Sequence, residues 1–293
     1  VNVLRRKVQE LEDTLGTVLL TRQVAGVRLT DEGDQIFAAA LQMEAASFDL
    51  VQARNILEKE IEGEVRIGIT EGLGVFWVTP KLVEFQRANP RLMVSLDCAM
   101  KSADVQRLET DVSVQLMRPP SSDLKLVRLG RMHLMPFASR QYLDTYGRPN
   151  RKEDLLKHRF VVQADSDKSW QDFYDRIFPG IKPVGLVSLR NNASSTHYWS
   201  IAKGAGVGML PTYLYALGAD LVPLDIGVHH ELDIWMTYRA EAKRIARVSK
   251  TIEWVARSFD PRRYPWFRDD FIHPDELAAS YKGEPLANMF VGR

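Results

Sequence analysis

VNVLRRKVQELEDTLGTVLLTRQVAGVRLTDEG, residues 1–33, holds a helix, a tight reversal and a short hairpin whose chemistry is one-sided. Leu4, Val8, Leu11 and Leu15 fall at i, i+4, i+7 and i+11, an apolar stripe at helical period. Asn2, Arg5, Arg6 and Gln9 lie on another face, which reads as carrying only cations and amides. Gly16 follows the last stripe residue, where a C-terminal cap calls for positive φ. Val18, Leu19 and Leu20 then lead into two short extended pieces around Ala25-Gly26, flanked by Arg22 and Arg28. A helix followed by a small basic hairpin is the shape of a partial winged helix-turn-helix. Arg and Gln on an exposed helix face can reach base edges in the major groove, and arginines on a hairpin can hold the flanking phosphates. Charge pattern alone favours a solvated surface helix.

The spacing carries more than the charges do. Leu11-Glu12, Leu15-Gly16, Leu19-Leu20, Arg22, Gly26 to Thr30 and Gly33 together resemble the head of the LysR-type transcriptional regulators. Two positions depart from that pattern: Leu20 stands where the family usually has Phe, and Arg5 where it usually has Ser. The resemblance implies binding of double-stranded operator DNA through Asn2, Arg5, Arg6, Gln9, Arg22 and Arg28. It also implies a helix pair ahead of the recognition helix. The sequence opens at Val1 inside that helix, so it reads as N-terminally incomplete, with Leu4, Val8 and Leu11 lacking their apolar partner.

Length and composition set outer bounds. A chain of 293 residues suits a small head plus one or two further units. At 45% hydrophobic and 26% charged it has globular composition with ample core. A net charge of +1 excludes a generally basic coat, so nucleic-acid binding is local to the head. No run approaches the roughly eighteen apolar residues of a membrane span, and no signal peptide precedes the first element; the expectation is a soluble, cytoplasmic protein without membrane contact. The single cysteine, Cys98, rules out an internal disulfide, and its phase with Leu92, Val94 and Leu96 turns it toward a core.

After the hairpin, residues 31–61 read as one long helix with Thr30 as N-cap and Asp31, Glu32 and Asp34 at the positive end of its dipole. Ile36, Met43, Leu50 and Leu57 recur every seven residues, with Ala39, Ala46 and Ala53 beside them. At roughly 45 Å the helix is longer than a small domain needs, which favours pairing between two chains. By resemblance, 31–62 is the dimerisation linker of a homodimer or homotetramer.

From Gly63 the grammar alternates strand and helix. Strands are predicted at Val65 to Ile69, Leu92 to Cys98, Val112 to Leu116, Phe160 to Val162, Leu186 to Leu189, Val207 to Leu210 and Leu232 to Met236. A helix is opened or reinforced at Thr79-Pro80, and a last helix carries Ile245, Val248, Ile252, Val255 and Phe259. This is an α/β region with mostly parallel sheets, best divided into two lobes. Asp111 to Val114, Leu129-Gly130, Phe137 to Ser139, Asp154-Leu155 before His158, and Gly204 to Pro211 resemble the effector-binding region of the same family, itself shaped like a periplasmic solute-binding protein. That resemblance implies an effector-binding domain over 63–259, with lobe one at 63–138 plus 232–259 and lobe two at 139–231.

In open α/β sheets ligands sit beyond the carboxyl ends of the strands. That rule selects Thr70, Glu71, Gly72, Leu73, Lys101 and Ser102 in lobe one. In lobe two it selects Gln163, Asn191, Asn192, Ala193, Ser194 and Thr196. Small hydroxyls, amides and glycines suggest a small polar or anionic effector, although Asn-Asn-Ala-Ser-Ser is also ordinary turn and capping chemistry. Gly204 to Gly208 precedes a strand, where a dinucleotide loop would follow one. His229-His230 lacks metal-ligand spacing, and no nucleophile motif is present, so no enzyme, metal or cofactor is expected. A solute-binding protein of the same two-lobed fold is the alternative. Residues 260–293 outrun the usual end of the family. Tyr264, Trp266, Phe267, Phe271 and Phe290 there point to a docked strap rather than a free tail, because exposed rings cost about 25 cal/mol per Å².

Overall fold

The computed structural model describes residues 2–23, 26–56, 60–100, 105, 109–119, 124–163, 175, 179–180, 185–216 and 221–281. The chain divides into two compact units, Val1–Glu58 and Lys59–Arg293.

In the first unit α1 (Asn2–Leu15) stops at Gly16, whose φ of +67° is the left-handed cap the pattern called for. The Glu12 carboxylate then accepts the amides of Leu19 and Leu20 at 2.7 and 3.1 Å, steering the chain into β1 (Leu20–Gln23). β1 pairs antiparallel with β2 (Gly26–Leu29) to make the hairpin. Thr30 closes the unit from both sides. Its Oγ1 accepts the Gly33 amide at 2.9 Å, capping α2 (Asp31–Ile56), and its hydroxyl donates to the Val18 carbonyl at 2.7 Å. A Cβ at Gly33 would stand 2.2 Å from the Leu19 carbonyl oxygen, so only glycine lets the helix start this close to the hairpin. Leu19 is buried there, whereas Leu4, Leu11 and Leu15 of the apolar stripe are exposed.

α2 spans 26 residues, about 39 Å. It is described to Ile56, short of the expected 61. Ile36 is half-buried and Met43 is 75% exposed. The side chain of Leu50 and all of Leu57 lie outside the described residues.

In the second unit β3 (Gly63–Thr70) buries Val65, Ile67 and Ile69. The expected helix at Thr79 starts earlier than the prolyl signal suggested. α3 (Glu71–Leu73) runs through a π-helical stretch, Gly74–Val78, into α4 (Thr79–Ala88). Pro80 has no N–H to give a preceding turn. The wider π turn absorbs that loss, with both the amide and the hydroxyl of Thr79 reaching the Gly74 carbonyl. β4 (Leu92–Ala99) and β5 (Val112–Gln115) lie parallel on either side of β3.

The prediction of mostly parallel sheets is corrected at the next strand. β6 (Leu124–Ala138), fifteen residues long, belongs to none of the predicted strands. It is followed by α5 (Arg140–Tyr146), β7 (Phe160–Gln163), β8 (Val187–Asn191), α6 (Ser194–Ala202), β9 (Gly208–Pro211), α7 (Tyr213–Ala216), β10 (Val222–Pro223) and β11 (His230–Arg239). β11 runs antiparallel to both β5 and β6, and the far end of β6 pairs antiparallel with β9 and β10. The large sheet is therefore mixed, in the order β10-β6-β11-β5-β3-β4, with β9 also on β6. β7 and β8 form a separate parallel pair. The physical reason is that β6 and β11, two long strands running opposite ways, pair with each other. One core gathers Ile67, Val112, Ile234 and Met236 with Trp77, and a second gathers Ala138, Tyr142, Leu155, Val207 and Leu224.

α8 (Ala246–Ser258) brings Val248, Ile252 and Val255 onto the first core, flanked by buried Ile245 and Phe259. The chain then doubles back as a strap. Tyr264, Trp266 and Phe267 ring Trp77 nearly edge-on, with centroids 4.8, 5.5 and 5.1 Å away. Trp77 Nε1 donates to the Ser258 carbonyl at 2.8 Å. The strap crosses β6 at Gly130, where an added Cβ would lie 2.7 Å from the Phe267 carbonyl oxygen. Arg128 reaches both Asp233 and Asp269, and His133 donates to the Arg268 carbonyl at 2.9 Å. α9 (Pro274–Ser280) follows. Phe290 lies outside the described residues.

Candidate functional site

Two separate surfaces carry the predicted site residues. On the head, Arg5, Arg6, Gln9 and Arg28 are exposed. Asn2 and Arg22 belong to α1 and β1, and their side chains lie outside the description. The expectation that this face of α1 carries only cations and amides is corrected. Arg6 Nε lies 3.4 Å from a Glu10 carboxylate oxygen, and Gln9 Nε2 donates to Asp13 at 3.1 Å. Residues four apart on a helix are neighbours, so Glu10 and Asp13 share the face. An exposed pair of this kind is worth about 0.3–0.5 kcal/mol, little enough for a phosphate to displace it. Glu12, whose turn-forming role residue type alone does not announce, positions the hairpin against this helix.

The second surface is the junction where α3, following β3, meets the start of α6, following β8. Glu71 sits in the first turn of α3, and its two carboxylate oxygens accept the Ser195 amide at 3.1 and 3.3 Å. Gly72 is packed so closely on Ser194 that an added Cβ would lie 2.8 Å from the Ser194 Cβ. The buried Tyr213 hydroxyl donates to the Gly72 carbonyl at 3.2 Å. Gln163, at the end of β7, donates to Ser194 Oγ at 2.9 Å and lies 3.5 Å from the Met100 sulfur. Thr70, Glu71, Gln163 and Ser194 are half-buried, and Gly72 and Leu73 are buried.

The other predicted residues do not join these contacts. Asn191 accepts the Ala193 amide at 3.3 Å and donates to the Val162 carbonyl at 3.4 Å, which is the turn chemistry its residue type also allowed. Asn192 and Thr196 point to solvent as exposed residues, and Ala193 is the α6 N-cap with no side chain to accept a bond. Lys101 and Ser102 lie outside the described residues. Residue-type reasoning missed Ser195, Met100, Tyr213 and His197. Ser195 contributes through its backbone, which leaves no residue-type signal. His197 is almost wholly buried, and burial pushes it down to about 4; its Nε2 donates to the Met209 carbonyl at 3.0 Å and its Nδ1 faces Asn191 Nδ2 at 3.4 Å. Cys98 packs on the core from β4 as its phase predicted, half-buried, its thiol pushed up by burial and by the carboxylates of Glu71 and Asp97.

The LysR substrate binding domain family matches residues 58–260, most of the second unit. The chain belongs to that family. Among related regulators, the transcriptional activator TtdR of Escherichia coli K12 is 24% identical over 280 residues, covering 92% of this chain and 86% of its own length. An HTH-type regulator of Xanthomonas campestris is 26% identical over 206 residues, 70% of this chain but 53% of that protein. Among solved structures, full-length AphB of Vibrio cholerae, titled a member of the LTTR family, has a TM-score of 0.57 at 18% identity, covering 87% of this chain and 88% of its own. CrgA, a LysR-type regulator of Neisseria meningitidis, has a TM-score of 0.56 at 19% identity, covering 88% and 89%. At these identities the structural neighbours show the fold: a winged-helix head, a long linker helix and a two-lobed α/β regulatory region. Among the described residues of this LysR-family chain no helix is long and apolar enough to cross a membrane.

Proposed function

We propose that this chain is a DNA-binding transcriptional regulator of the LysR type, in which a small molecule held between the two lobes alters how the head engages its operator. The observation that carries this reading is a LysR substrate-binding unit on the same chain as a hairpin head and linker helix joined through Glu12, Thr30 and Gly33. The solute-binding alternative accounts for the lobes and leaves the head without a purpose. In this reading Arg5, Arg6, Gln9 and Asn2 face the major groove, and Arg22 and Arg28 hold phosphates on either side. Ile36, Met43, Leu50 and Leu57 form the seam between two linker helices, and the protomers assemble as dimers or tetramers in the cytoplasm. The lobes extend over 63–138 plus 232–259 and over 139–231, and bind the effector without catalysing its conversion. An effector can shift the assembly only by its differential affinity for two states. The test is footprinting of the protein on its own upstream DNA, with and without candidate metabolites, beside Arg5→Ala and Arg6→Ala. A protected two-part site that both substitutions weaken supports the proposal; unchanged affinity in both refutes the assignment of the reading face.

A further inference from the structure

The junction of α3 with α6 holds an anion that belongs to the chain itself. α6 brings no cap of its own, since its N-cap is Ala193. The acceptor comes instead from α3, as the Glu71 carboxylate on the Ser195 amide. Close packing of Gly72 on Ser194 holds the two segments together, and the Tyr213 hydroxyl of α7 fixes α3 by donating to the Gly72 carbonyl. Glu71 and Asp97 both act on the Cys98 thiol, and Glu71 acts on the buried Tyr213 hydroxyl, in each case adding to the upward push of burial. The first-turn amides and the positive end of a helix would otherwise attract a carboxylate or phosphate.

We infer that Glu71 determines the effector specificity of this junction: it fills from within the position an anionic group would take on α6, so the junction selects effectors that present hydrogen-bond donors or a cation. This rests on the effector-binding reading above and narrows the polar or anionic class expected from residue types. Two effects act together. A free anion must displace a carboxylate that the packing of α3 already holds at the amide, at an effective concentration of order millimolar or higher. It must also approach Glu71 itself, and like charges in a partly desolvated junction repel strongly.

The experiment uses thermal melting and titration calorimetry with sodium acetate, matched in ionic strength by chloride. Glu71→Ala is expected to melt lower than the native protein and to recover with acetate in a saturable way. Its acetate affinity should exceed the native by about tenfold or more, the equivalent of one charge-assisted hydrogen bond. Glu71→Gln, whose amide fills the same space without charge, should melt lower and not respond to acetate. If Glu71→Ala aggregates, Glu71→Ser carries the same titration. Acetate acting no better than chloride on the truncated variants, or equally on the native protein, overturns the inference. Acetate rescue does not involve DNA, so rescue of the variants beside a native protein that gives no operator footprint would remove the DNA-binding reading and leave the assignment of Glu71 standing.

Discussion

Phe267→Ala tests whether the strap is part of the second unit's core. Its ring is fully buried against Trp77 and Phe259, and its backbone sits on Gly130. Removing a fully buried phenyl ring costs about 3–5 kcal/mol in lost transfer and cavity terms. In a unit of this size each kcal/mol lowers the melting temperature by about 2–4 °C, so the expected fall is roughly 6–20 °C. Gly130→Ala approaches the same contact from the other side. Its new Cβ would press on a carbonyl oxygen that the anchored ring holds in place, and overpacking of this kind costs about 1–3 kcal/mol. Once the ring is gone the strap can yield, so the double variant should lose less than the two single losses combined, by about 0.5 kcal/mol or more. Scanning calorimetry on all four proteins measures the cycle. A Phe267→Ala shift under 2 °C, or strict additivity, would refute the strap as a core element.

Four further outcomes are expected. Glu10→Gln frees Arg6 from its acidic neighbour and should tighten operator binding about twofold at low salt, an advantage that disappears at high salt. Arg28→Ala, if Arg28 holds a phosphate, should lower the slope of log affinity against log salt by about one unit. Met43→Asp places a charge on the proposed seam and should shift light scattering toward the monomer; an unchanged mass would move the interface elsewhere. His197 stays neutral in the folded protein down to about 4, whereas the unfolded chain takes a proton near its ordinary 6.5. Between those values the unfolded state binds more protons, so stability falls as pH drops from about 6.5 to 4, by up to ~3 kcal/mol from this group. His197→Gln should flatten the urea midpoint across that window relative to the native protein.

Where a residue's role is local, it was legible. Val65, Ile67 and Ile69 alternate and are buried; Ile245, Val248, Ile252, Val255 and Phe259 form a stripe and are buried. Gly16 and Thr30 cap their helices as their residue types suggested. β6 escaped because its interruptions answer to distant partners. Gly130 leaves room for Phe267, and Arg128 and Arg131 meet Asp233, Glu231 and Asp269, all a hundred or more positions away. The same limit applies to the junction of α3 with α6. Glu71 stood among the candidates by its place after β3, but its partner is a backbone amide 124 residues on. Glu10 and Asp13, by contrast, lie four positions from Arg6 and Gln9, and helical spacing alone places them on that face.

β6 changes partners along its length, pairing with β11 up to Leu134 and with β9 from Leu134 onward. One uninterrupted length of backbone thus ties β11 and β9 into the same sheet. Cutting out residues 139–231 alone would strip β9 and β10 of the strand they pair with. Gene fusions or lobe exchanges between relatives therefore have no clean seam within residues 124–138 or 230–239. A break in β6 at Leu134 would leave both β11 and β9 short of a pairing partner.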